Sequence, residues 1–90
     1  MIPLDELKEK ARIMTKDALR HYPSFPKEFE PDIALGTFFD GNLRIFELYV
    51  AKQRPQDAII LTRATLDAMT GDGKVEVFPE NWVNEQQAGQ

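Results

Sequence analysis

The chain has 90 residues, 42% of them apolar and 29% charged, and a formal net charge of −4. That is the balance of one small globular domain, not of a disordered segment. It has no cysteine and a single histidine, which excludes disulfides, thiolate metal sites, cysteine nucleophiles and two-histidine zinc sites.

The first element in chain order is a helix. Leu4, Leu7, Ala11, Met14, Ala18 and Tyr22 recur at three- and four-residue steps, one apolar stripe at helical period. This spacing predicts an amphipathic helix over residues 3–22. Pro3 suits its start, Asp5 and Glu6 its first turn, and Arg20 and His21 its last. Pro23 ends it, because proline lacks an amide and restrains the residue before it. Residues 23–32 carry three prolines and read as a stiff connector, with Phe25 and Phe29 placed to plug the edge of a core.

Strands follow. Residues 33–39 form the first and residues 43–51 the second, joined at Asp40-Gly41, which tolerates the positive φ of a tight turn. The second strand alternates Phe46, Leu48 and Val50 against Leu43, Ile45, Glu47 and Tyr49. After a turn around Pro55, residues 57–67 read as a third strand, with Ile59, Leu61 and Arg63 opposite Ile60, Thr62 and Ala64. A loop with Gly71 and Gly73 leads to a short fourth strand over residues 75–78, closed by Pro79. Connections this short cannot make parallel crossovers. The expected fold is α+β: one N-terminal amphipathic helix packed on a four-stranded antiparallel meander sheet. Residues 1–80 form a single domain, and residues 81–90 a tail expected to be partly disordered.

Catalytic patterns fail one after another. His21 sits at a helix end with no marked nucleophile or orienting acid, as expected of a capping cation. The stretch Asp67 to Glu76 has Met69, Gly71 and Asp72 where a calcium loop needs a ligand, a ligand and a glycine. Gly71 and Gly73 precede a strand and offer no helix N-terminus to a phosphate. No enzyme, metal or cofactor is expected.

The positive signals concern binding. Residues 31–90 carry the whole acidic excess, and beyond Val75 the only charges are Glu76, Glu80 and Glu85. Such a surface disfavours nucleic acid and suits a basic partner protein, although mild acidity also serves solubility alone. Trp82, the only tryptophan, either folds back onto the core or anchors a partner. One helix covers one face of the sheet, leaving the face with Leu43, Ile45 and Tyr49 open to a partner or a second copy. The longest purely apolar run, Ala58 to Leu61, is far too short to span a membrane. With no basic and apolar leader at Met1, a cytoplasmic location is expected.

Three segments carry a resemblance: Leu19-Arg20-His21-Tyr22 at the helix end, Leu43-Arg44-Ile45-Phe46-Glu47-Leu48-Tyr49-Val50, and Ala64-Thr65-Leu66-Asp67-Ala68-Met69-Thr70-Gly71 leading to Val75. Together they resemble the small PepSY-type and cystatin-like domains of bacteria, including immunity proteins built on that plan. The turn is longer here, with Asp72-Gly73-Lys74 before Val75. The resemblance implies a helix packed on a sheet and no catalytic residues. The expected function is therefore a small protein-binding domain, an immunity or inhibitor protein that masks a toxin or enzyme. Asp40, Glu76, Glu80, Trp82 and Glu85 are its candidate contacts. The alternative is a self-associating subunit, a homodimer paired through the open sheet face.

Overall fold

A computed structural model describes residues 1–82. It holds helix α1 (Leu4–Leu19), a 3-10 helix (Lys27–Asp32), strands β1 (Ile33–Asp40) and β2 (Leu43–Val50), a 3-10 turn (Pro55–Asp57), and strands β3 (Ile59–Asp67) and β4 (Gly73–Val77). The strands pair antiparallel in the order β1-β2-β3-β4, a meander with α1 on one face. The expected α+β architecture is the one observed. No helix among the described residues is long and apolar enough to cross a membrane.

The apolar stripe of α1 explains its seat. Leu7 and Ala11 are fully buried against Phe46, Ala64, Leu66 and Ala68, with Ile2, Met14 and Val75 around them. Alanines on both surfaces let the helix lie close to the sheet. The Ile2 amide donates to the Ala68 carbonyl at 2.7 Å, pinning the start of the chain to the end of β3. The helix ends at Leu19 rather than Tyr22. The His21 and Tyr22 amides instead reach the carbonyls of Ala18 and Leu19, so the last turn tightens ahead of Pro23.

A second cluster closes the other end of the same face. Phe29, Val50, Leu61 and Trp82 are buried together, with Leu19, Phe25, Ile33 and Leu48 packed on them. The connector expected after Pro23 is thus partly a 3-10 helix that delivers Phe29 to the core. Residues 79–82 are helical and Trp82 is 2% exposed, so the packed domain reaches at least Trp82. The rest of the expected tail lies outside the described residues.

Strict alternation along β3 breaks at a bulge. The register with β2 shifts between Leu48 and Tyr49, leaving both Leu61 and Thr62 buried. Ile59 and Leu61 therefore join the core side with Thr62 and Ala64, instead of lying opposite them. At the β1–β2 turn the central residues are Gly41 and Asn42, with Asp40 and Leu43 paired beside them. Gly41 has φ +58 and among the described residues no non-glycine residue has positive φ, Asn42 included, which is the pattern of a II′ hairpin turn. The loop after β3 is an Asx turn: Asp67 Oδ1 accepts from the amides of Met69 at 2.7 Å and Thr70 at 3.2 Å. The Lys10 ammonium donates to the Gly71 carbonyl and ties this loop to α1.

Candidate functional site

A four-stranded sheet is roughly 19 Å wide, whereas a helix with its side chains covers about 10 Å. One helix therefore cannot cover the whole of this sheet. α1 packs on β4 and β3, and less on β2. On β1 the helix-side residues are Ile33, Leu35, Thr37 and Phe39, opposite Val50, Leu48, Phe46 and Arg44. The Phe29 cluster shelters Ile33. Beyond it the strand is bare, and Leu35 is 45% and Phe39 62% exposed. On the other face of the same strand Phe38 is 49% exposed.

β1 is also a free edge. The opposite edge, β4, is only five residues long and carries Lys74 and Glu76, which discourage strand addition. β1 runs eight residues with no proline and no charge before Asp40, in unbroken register with β2. Its outward groups follow from the hairpin. The pair flanking a two-residue turn is hydrogen-bonded, so the amides of even-numbered β1 residues face β2. The Ala51 amide, donating to the Asp32 carbonyl at 2.9 Å, continues that pattern. Leu35, Thr37 and Phe39 thus direct their amides and carbonyls to the free edge.

Beside β1, between α1 and β2, runs an apolar trough of about 250 Å³, floored by Phe46 and Leu48 and walled by Ala11, Thr15 and Leu19. Arg12 and Lys16 rim it on the α1 side. Arg44, two residues before Phe46 on β2, has its guanidinium 4.7 Å from the centre of the Phe39 ring and bonded to the Gly41 carbonyl at 2.9 Å. Glu9 accepts from Arg12 at 2.6 Å. That bond holds the Glu9 carboxyl below its ordinary range and raises Arg12 above its own.

The face away from α1 is organised around one ion pair. Gly36, Glu47, Arg63 and Glu76 form a row across all four strands. Arg63 Nε donates to Glu47 Oε2 at 2.6 Å, and its guanidinium lies 5.4 Å from the centre of the Phe78 ring. A shallow depression of about 390 Å³ beside the pair is lined by Phe38, Tyr49, Pro55 and Ile60. Leu43, Ile45 and Tyr49, expected to lie open on this face, are half-buried by their neighbours along and across the strands. Among the described residues no group of three or more histidines, aspartates and glutamates is placed to hold a metal.

The residues singled out in the sequence do not gather into one patch. Asp40 ends β1 and Glu76 lies on β4, so they occupy opposite edges of the sheet. Glu80 is exposed in the turn after β4. Trp82 is not a surface anchor: it is buried, with the Phe25 ring edge-on at 5.1 Å and the Tyr22 ring at 6.4 Å. A small core has used its largest side chain for packing. Glu85 lies outside the described residues. Leu35, Phe38, Phe39 and the cations of the trough went unmarked in the sequence. The signal available there was a run of eight residues without charge until its last.

Compared with protein-family models, with curated proteins and with solved structures, the chain matches none significantly.

Proposed function

We propose that the chain is a small protein-binding domain whose working surface is the β1 side of the sheet. One observation carries this reading: the β1 edge is long, apolar and unguarded, while the β4 edge of the same sheet is short and charged. Edge strands of that kind pair with other chains unless blocked. The finer form of the reading is an immunity or inhibitor role, in which the domain masks the working surface of a toxin or enzyme. The resemblance to cystatin-like immunity proteins supports that form.

Self-association is the second reading, and the β1 sequence favours it in one respect. With Thr37 on a two-fold axis, Leu35 would meet Phe39 of the second copy, and Gly36 would meet its Phe38. Asp40 would face Ala34 rather than an acid. Leu35 against Phe39 is an apolar pair and Phe38 would cover Gly36, while like charges are kept from direct opposition.

The test is the double substitution Leu35→Lys with Phe39→Lys, in tagged capture from the native host and in light scattering. The proposal expects a stoichiometric partner, or a dimer, that the variant loses while its urea midpoint stays put. Undiminished capture of the same partner by the variant would count against it.

A further inference from the structure

We infer that the trough between α1 and β2, beside β1, receives an amphipathic helix with an acidic flank, supplied by a partner protein. This rests on the protein-binding reading above and specifies the partner's chemistry.

Dimensions come first. The helix-side surface that α1 leaves bare is β1 from Leu35 to Phe39, beside the trough. On α1 its wall runs from Ala11 to Leu19, roughly 12 Å or some two helical turns. The floor and outer bank are mostly apolar: Phe46, Leu48, Leu35 and Phe39, with Thr62 and Thr37 between them. A helix laid there would complete the layer that α1 begins and would bury the exposed half of β1.

Charge selects the occupant. Lys8, Arg12 and Lys16 are spaced four apart on α1 and form one ridge, of which Arg12 and Lys16 line the trough. Arg44 adds a cation over the Phe39 ring on the β1 side. Among the described residues Lys8 and Lys16 have no ion-pair partner. Against these cations stand Asp5, in the first turn, and Glu9, which Arg12 already holds. The trough is thus net positive in a chain whose formal net charge is −4. An acidic flank facing that ridge would be steered in and oriented by it. A second copy does not supply such a helix, because the apolar stripe of α1 is spent on its own sheet and the large apolar residues that α1 exposes are Leu4 and Ile13, too few for a second apolar face.

The experiment titrates the labelled protein with two designed peptides, followed by amide NMR shifts. Both are about 18 residues, long enough to be helical, with leucines at the same i, i+3, i+4 and i+7 positions. One carries glutamates on its polar face and the other lysines. The expected result is that the acidic peptide binds roughly tenfold more tightly than the basic one. Its shifts should map to Leu35, Thr37, Phe39, Phe46, Leu48 and the α1 ridge. The preference should vanish in Lys8→Glu with Lys16→Glu, and Glu9→Gln should tighten binding about twofold by freeing Arg12. Equal affinities, no binding at millimolar peptide, or shifts confined to the outer amides of β1 would each overturn the inference. Loss of the native partner in the Leu35→Lys, Phe39→Lys variant alongside any of those results would leave the protein-binding reading standing and remove only the helix.

Discussion

Arg63 donates to Glu47 at 2.6 Å on the face of the sheet that no helix covers. The Glu47 side chain is nearly buried there, while Arg63 is more than a third exposed. Removing the arginine strands a desolvated carboxylate, whereas removing both charges does not. Because water screens the Arg63 side, Arg63→Met is expected to cost only about 1–2 kcal/mol. The double variant Glu47→Leu, Arg63→Met should recover most of that loss. Urea denaturation of the single and double variants measures the coupling, and additive losses would show that the pair does not matter.

Two glycines should respond differently to alanine. At Gly73 a Cβ would lie 2.8 Å from Leu66 Cγ and 3.2 Å from the Thr65 carbonyl oxygen. Leu66 is fully buried and the carbonyl is backbone, so neither yields freely. Gly73→Ala should cost about 1–3 kcal/mol. At Gly41 a Cβ meets nothing within 4 Å, and the cost comes only from φ +58. Gly41→Ala should lose about 1 kcal/mol. In thermal unfolding Gly73→Ala should therefore melt lower, and the reverse order would contradict this packing.

Trp82 joins the cluster of Phe29, Val50 and Leu61 that closes one end of the core. Trp82→Ala should cost about 3–5 kcal/mol, a large share of the stability of so small a domain. Ending the chain at residue 80 should be as damaging. Tryptophan fluorescence gives a direct check: emission should be that of a buried ring and shift to longer wavelength with the unfolding transition. An exposed-type spectrum in the folded protein would contradict the placement.

Proline can report which β1 amides are free. The Thr37 amide faces the open edge, so Thr37→Pro should cost no more than about 1 kcal/mol. The Phe38 amide faces β2, so Phe38→Pro should cost about 3 kcal/mol or more. Circular dichroism melts of the two variants decide the matter, and equal losses would show that the strand is turned otherwise.

The sequence carried the elements further than their arrangement. Helical spacing from Leu4 to Ala18 and the Asp40-Gly41 turn located α1 and the first hairpin, because both are local signals. Short connections implied the meander. The bulge at Leu61 was hidden, since an extra buried residue in a run such as Ile59-Ile60-Leu61 looks the same as regular alternation. The bare margin at β1 was hidden for another reason. Periodicity tells which side of β1 faces the helix layer, but not where on a four-strand width one helix will rest. The tight α1 seat on Ala64, Ala68 and Val75 set that position, and it left Leu35 and Phe39 uncovered.

The most direct test of the β1 surface is photo-cross-linking in the native host, with the reactive side chain placed at Leu35 in one variant and at Lys74 on the β4 edge in another. The account predicts a single discrete adduct from position 35 and none from position 74. No adduct at 35, or the same adduct from both edges, would contradict it.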